Sequence, residues 1–261
     1  MNNTIGIRTL SGYELKIIAL VTMFIDHVGA VVLWRYMQAT GQMSGWIVTE
    51  YQLLRYIGRM AFPIYCFLLV EGFLHTRSVG KYALRLGVFA ILSEIPFDMA
   101  VHHSYWNAGS NNVFFTLLIG LLLVWGISFV EKFYEFWREK QLDAFIGGLA
   151  TVAVGVLMVV PAMFLAEKVL CTDYGMAGVV AIFVLYLFRK NRYLAFTLSV
   201  MALGILLSNS TEYLALIMLY PLSLYDGTRG DRGGKVQKWL FYGFYPVHLL
   251  VLALICMICG I

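Results

Sequence analysis

Charge is what this chain lacks most. Asp, Glu, Lys and Arg supply 13% of its 261 residues, about half the share of a soluble domain, and that deficit excludes a soluble globular fold. Cysteine is scarce as well: Cys66, Cys171, Cys256 and Cys259 are the four. The last two form Cys-x-x-Cys inside an apolar run, not at the start of a helix after a strand, so they read as small apolar helix residues and imply no disulfide. The sequence has no His-Glu-x-x-His motif, no Gly-x-Ser-x-Gly elbow and no phosphate loop. His102-His103 has no thiolate near it and makes a poor metal site, so no metal is expected. The first apolar run lacks a small-x-small cleavage site and reads as a retained helix, not a signal peptide. There is no convincing internal repeat, whereas inverted-repeat transporters show matched broken helices in two halves.

What is present is hydrocarbon. The chain is 61% apolar with a mean hydropathy of +0.78, the signature of an integral membrane protein. At about 20 apolar residues per span, the pattern predicts an all-α, polytopic transmembrane bundle of about nine helices in one domain, 1–261. The helices fall near 15–36, 53–74, 82–101, 113–130, 144–166, 174–188, 193–208, 212–225 and 239–259. The seventh and eighth are short, so one of them can be re-entrant. Fifteen Lys and Arg, from Arg8 and Lys16 to Arg232, Lys235 and Lys238, fall before the first span and in alternate loops. Arg35, Arg55 and Lys168 fall on the other side. By the positive-inside rule the N-terminus is cytoplasmic and the C-terminus outside. The net charge of +4 therefore reflects topology, not nucleic acid.

The first span holds Asp26 and His27. Ionisable groups at that depth are expensive and default to a functional reading. At 1.5 Å per residue, Asp26 lies about 15 Å into its helix, near the midplane of a core about 30 Å thick, and His248 lies about as deep in the ninth helix. Glu94 falls just beyond the midplane, Asp98 one turn further out at i+4, and Arg59 in the outer third of the second helix. Glu71 and His75, also i and i+4, sit at that helix's inner end. Each has a structural alternative. Glu71 can pair with Arg85 or cap the inner loop. Asp98 can satisfy backbone groups freed near Pro96, and His248 a carbonyl freed by Pro246. Arg59 can snorkel outward. His27 is hardest to dismiss, because it titrates near neutrality. Adjacent helix residues point about 100° apart, so Asp26 and His27 do not bond each other. The carboxylate that orients His27 is expected from another helix, with Glu94 the first choice and Asp26 facing Arg59. Asn112 caps the fourth helix, and Asp173 is a plausible N-cap of the sixth.

A histidine in the membrane, carboxylates and an arginine at hand, and basic loops on one side suit acyl transfer. A base takes a proton from an amine or hydroxyl. A cation or hydrogen-bond donor stabilises the oxyanion. Basic residues hold the phosphates of a cytoplasmic donor such as acetyl-CoA. The same ionisable groups could instead form the relay of a proton-coupled transporter or flippase.

Several motifs then resemble the TraX family. They are Ile25-Asp26-His27-Val28-Gly29, Gly58-Arg59-Met60-Ala61-Phe62-Pro63-Ile64, Val70-Glu71-Gly72-Phe73-Leu74-His75-Thr76-Arg77, Leu92-Ser93-Glu94-Ile95-Pro96-Phe97-Asp98, Asn112-Val113-Phe114-Phe115-Thr116-Leu117, Asp173-Tyr174-Gly175 and Tyr245-Pro246-Val247-His248-Leu249. That family is named for a protein that N-acetylates a conjugative pilin. It looks related to transmembrane acyltransferases of the acyltransferase-3-like group, which move acetyl groups from cytoplasmic acetyl-CoA to extracytoplasmic sugars. The resemblance implies an acetyltransferase of a bacterial cytoplasmic membrane, with His27 at the catalytic position and an arginine segment, loosely matched by Arg55 and Arg59, linked to the donor. The acceptor is then an amine or hydroxyl of a peptide, glycan or lipid. On this reading His27 is the base, Glu94 orients it, Arg59 and Asp26 line the site, and His248 assists in proton handling. Arg77, Lys81, Arg85 and the Arg189-Lys190-Arg192 cluster attract the phosphates of acetyl-CoA. Glu71, His75, Asp98, Asn112 and Tyr245 face substrate.

Overall fold

The computed structural model describes residues 9–139, 144–230 and 234–261. Arg8, Lys140 and Arg232, used above for orientation, lie outside the described residues. Helix α1, Gly12–His27, starts at Ser11, whose backbone N–H donates to Glu14 at 2.9 Å in a capping box. Directly after His27 the helix widens into a π-turn, Val28–Leu33, and resumes as α2, Trp34–Thr40, ending at Gly41 with φ +68. Such π-turns recur at functional sites. Helices α3, Trp46–Gly58, and α4, Ala61–His75, are separated only by Arg59 and Met60. Helix α5, Val79–Phe97, passes through Pro96 into a second π-turn, Asp98–His102. Next come α6, Val113–Glu139, and α7, Ala144–Phe164, which runs into a π-turn at Leu165–Val169. They are followed by α8, Gly175–Leu187, and α9, Arg192–Leu206. A 3₁₀ segment, Ser210–Met218, leads into the short α10, Leu219–Ser223, and α11 spans Gly234–Cys259.

The chain is all-helical, and no strand occurs among the described residues. Five stretches are long and apolar enough to cross a bilayer: Gly12–Thr40, Trp46–His75, Val113–Glu135, Val152–Val169 and Trp239–Cys259. Each of the nine expected apolar segments coincides with a helical stretch. However, α8 and α9 have 13 and 15 residues, the eighth segment is mostly 3₁₀, and α5 with its π-turn carries Lys81, Arg85, Glu94 and Asp98. Apolar all round, α8 runs through the middle of the bundle. Val179, Ala181 and Ile182 are fully buried, and the helix packs on α4, α6, α7 and α9. Helix α5 shows the opposite pattern: Leu84, Ile91 and Ile95 project outward, more than half exposed, as suits contact with acyl chains.

Two isolated bridges stitch the ends of the bundle. Leu10 pairs with Tyr225 at one end and Asn111 with Thr172 at the other. Lys16, Arg77, Lys81, Arg85, Arg189, Arg192 and Arg229 gather at the first, hereafter the basic end. Helix α1 packs against α3, α4 and α11, and α11 also meets α5 and both early π-turns. This places the Asp26-His27 pair among four helices.

Candidate functional site

Two histidines meet where α1 gives way to its π-turn. His27 Nδ1 lies 2.7 Å from His248 Nε2. Their ring centroids are 4.9 Å apart with planes inclined by 32°. His248 Nδ1 lies 2.7 Å from the carbonyl oxygen of Phe244, four residues earlier on α11. Pro246 frees the carbonyl of Tyr242, not that of Phe244, so the ring does not mend the proline's missing bond. Aromatic rings close around the pair. Phe244 stacks on His248 at 4.7 Å, Phe24 meets it edge-on at 6.0 Å, and Tyr245 touches both imidazoles, at 5.8 and 5.9 Å.

Glu94 is not the partner of His27, contrary to expectation. Its Oε1 accepts from the Asn112 backbone N–H at 2.9 Å and from the Asn112 amide. That amide also donates to Ala90 O at 2.7 Å, while Asn112 Oδ1 accepts from the Phe114 N–H at 3.0 Å. The first turn of α6 has N–H groups with no helical partner, and they capture the nearby carboxylate. Asp98 is also structural: it is fully buried and accepts from the Asn107 N–H at 2.7 Å. Asn112 and Asp98 therefore brace the backbone around the ends of α5 and α6.

Asp26 turns away from His27, as the helix geometry requires, into a half-buried ionic quartet of which Glu212 alone is fully buried. It accepts from Arg55 Nη1 and lies 3.7 Å from Arg59 Nη2. Arg59 Nη1 in turn donates to Glu212 Oε1 at 2.8 Å. Arg59 thus does not snorkel, because Asp26 and Glu212 hold it inside. Two residues were missed in sequence. Arg55 reads in sequence as a topology marker and a loose match to the family's donor-linked arginines, not as the partner of Asp26. Glu212 is fully buried in the 3₁₀ segment, and the depth argument used for Glu94 would have flagged it as a lone acid in an apolar stretch. Gly58 makes the quartet possible, since a Cβ there would stand 1.9 Å from Asp26 Oδ1. Asp173 lies within electrostatic reach of all four groups but does not cap α8. Glu167 does, accepting from the Met176 N–H at 3.1 Å.

The basic end contains a cavity of about 830 Å³, within the size range of ligand sites. Lys16, Arg77, Lys81, Arg85 and Arg229 line it, together with His75 and Glu71. Glu71 accepts from the Tyr225 hydroxyl at 3.2 Å and is not paired with Arg85. Deeper in, the lining is apolar: Tyr65, Leu86, Phe114, Leu117 and Tyr242. Phe114 stacks near Tyr242 at 6.3 Å and meets Tyr245 edge-on at 5.2 Å, so a two-ring partition separates the cavity from the histidines. The second basic cluster is not part of this cavity. Arg189 is engaged by Glu131 at 2.8 Å, Arg192 donates to Tyr225 O at 2.7 Å, and neither they nor Lys190 line it. Arg229 and Lys16 take the place expected of them. No group of three or more His, Cys, Asp or Glu among the described residues could hold a metal.

These features define a multi-helix membrane protein with ionised and titratable side chains held inside an apolar bundle. The chain belongs to the TraX family, described as TraX protein, which matches residues 11–256. It is similar to the probable fimbrial assembly protein FimC, serogroup H1, of Dichelobacter nodosus. The two are 30% identical over 93% of this chain and 94% of that one. No solved structure matches the chain.

Proposed function

We propose that this protein transfers an acetyl group from cytoplasmic acetyl-CoA to an amine or hydroxyl of a membrane-associated or extracytoplasmic acceptor. The observation that carries this reading is the cationic cavity at the basic end, whose inner aromatic wall touches the ring packed on His27 and His248. Five cations around one carboxylate suit a polyanionic donor, since charge-assisted hydrogen bonds to phosphate are among the stronger contacts available. The apolar interior suits the thioester arm. The basic end faces the cytoplasm on this reading, as the positive-inside rule requires, in the inner membrane of a bacterium.

His27 Nε2 takes the proton from the acceptor's N–H or O–H as the heteroatom attacks the thioester carbonyl. The C–S bond breaks, and the proton passes from His27 to the departing sulfur, which leaves as the free thiol. Donor and acceptor reach the imidazole from opposite ends, so the two-ring partition of Phe114 and Tyr242 must open for the thioester to arrive. The likeness to a fimbrial assembly protein favours a protein amine of a surface filament among the acceptors, ahead of a glycan or lipid.

The test is release of free thiol from acetyl-CoA by the purified protein in lipid, with radiolabelled acetyl followed into acceptor fractions. Wild type is expected to turn over, His27→Ala to lose turnover while folding normally, and Lys81→Glu to raise the donor KM. Retention of turnover by His27→Ala would remove the imidazole from the mechanism. Absence of donor binding to wild type would remove the transferase altogether and leave the transport relay.

A further inference from the structure

We infer that His248 is a positioning residue that fixes the tautomer of His27, leaving Nε2 of His27 as the bare, proton-accepting nitrogen. The inference rests on the transferase reading for its catalytic meaning, but the tautomer itself follows from hydrogen-bond roles alone. A carbonyl oxygen only accepts. His248 Nδ1, at 2.7 Å from Phe244 O, therefore carries the proton. A neutral imidazole with Nδ1 protonated has its lone pair on Nε2, and that atom faces His27 Nδ1 at 2.7 Å. His27 Nδ1 must then be the donor, and its own lone pair sits on Nε2. The chain of command runs from a backbone carbonyl through one ring to the next.

The centroid separation of 4.9 Å places the two rings end to end, as a nitrogen-to-nitrogen hydrogen bond needs, and not face to face. Packing holds the outer ring: Phe244 lies flat against His248, while Phe24 and Tyr245 press on its edges. The carboxylates that usually fix such tautomers are elsewhere, with Asp26 on Arg55 and Glu94 on Asn112. A carboxylate would stabilise the imidazolium strongly. A neutral imidazole supplies direction with less charge stabilisation, so His27 gives its proton back to the leaving sulfur more readily. When His27 Nε2 has taken the acceptor's proton, Nδ1 continues to donate to His248, and no rearrangement is needed between the two proton transfers.

Substitution separates positioning from mere packing. In His248→Gln the side-chain carbonyl oxygen stands close to the former Nε2 and still accepts from His27 Nδ1. In His248→Met the volume is kept and the acceptor is lost. Nitrogen-15 NMR of histidine-labelled protein in lipid is expected to show His27 with Nδ1 protonated in wild type and His248→Gln, and a mixture of tautomers in His248→Met. In thiol release, His248→Gln is expected to retain at least a tenth of wild-type kcat. His248→Met should fall a hundredfold or more, with the donor KM unchanged in both. Equal loss in the two variants, or a wild-type His27 protonated on Nε2, would overturn the inference. Correct tautomers with no turnover in wild type would instead overturn the transferase reading and leave the positioning intact.

Discussion

At the scale of single residues, the ionic quartet is the most exacting feature of the molecule. Glu212 is fully buried and has Arg59 as its direct ionic partner. Removing one member of a buried pair leaves an uncompensated charge, at a cost of about 3–5 kcal/mol. Arg59→Ala is therefore expected to lower thermal stability in detergent by about that much. The double change Arg59→Met with Glu212→Gln should recover most of it, because no bare charge then remains. A thermal melt of the three proteins checks this, and a double variant no better than the single would count against a charge origin. Gly58→Ala tests the same quartet by shape. The added carbon would stand 1.9 Å from Asp26 Oδ1, so Asp26 must move, at about 1–3 kcal/mol. Gly155, with nothing within 4 Å of its would-be Cβ, is the control, and Gly155→Ala should not destabilise.

At the scale of elements, the segment from Tyr225 to Gly230 forms a strap at the mouth of the cavity. Asp226 N donates to Leu10 O at 2.9 Å, Gly12 N donates to Thr228 O at 2.8 Å, and Gly227 and Gly230 take positive φ. Hydrogen bonds from Thr228 hold the Asp226 carboxyl below its ordinary range. A depressed carboxyl contributes stability above its ordinary value near 3.8, and that contribution is lost as pH falls through its lowered value. The strap's amides are thus expected to lose protection, relative to intrinsic exchange at the same pH, on acidification below about pH 4, and Asp226→Ala to show that reduced protection already at neutral pH. Hydrogen exchange over residues 225–230 measures both. Elements were the most legible level of the sequence, because apolar length is written directly in composition. The nine helical segments follow from it. Pairing was less legible. His27 could be singled out from one segment, but its partner lay 221 residues away and both are titratable rings, so depth alone favoured Glu94. Glu94 was lost to Asn112 because free helix-end N–H groups are invisible until α6 is placed beside α5. Arg189 and Arg192 lie outside the large cavity, which the sequence does not reveal, since a cationic loop looks the same whether its charges are spent on Glu131 and Tyr225 or left facing a cavity.

At the scale of the whole molecule, orientation decides whether the proposed donor can reach the cavity. Cys259 is exposed at the end opposite the cavity, while Cys66 and Cys256 are buried. With the basic end in the cytoplasm, a membrane-impermeant maleimide added to intact cells that lack an outer barrier is expected to label a Cys171→Ser protein at Cys259, Cys171 being half-buried at that same end, and to spare the Cys171→Ser/Cys259→Ser double variant. Labelling that appears only after the membrane is opened would reverse the orientation and place the cavity on the side without coenzyme A.

The bridge between Leu10 and Tyr225 has a practical corollary. A reporter inserted just ahead of Leu10 would sit beside the rim of the basic cavity and, on the proposed function, would crowd the doorway a donor uses. A carboxy-terminal reporter beyond Cys259 would hang from the far face of the bundle. Protein for binding work is therefore best labelled at its tail, and a loss of ligand uptake seen only with a reporter at Leu10 would itself mark where the doorway is.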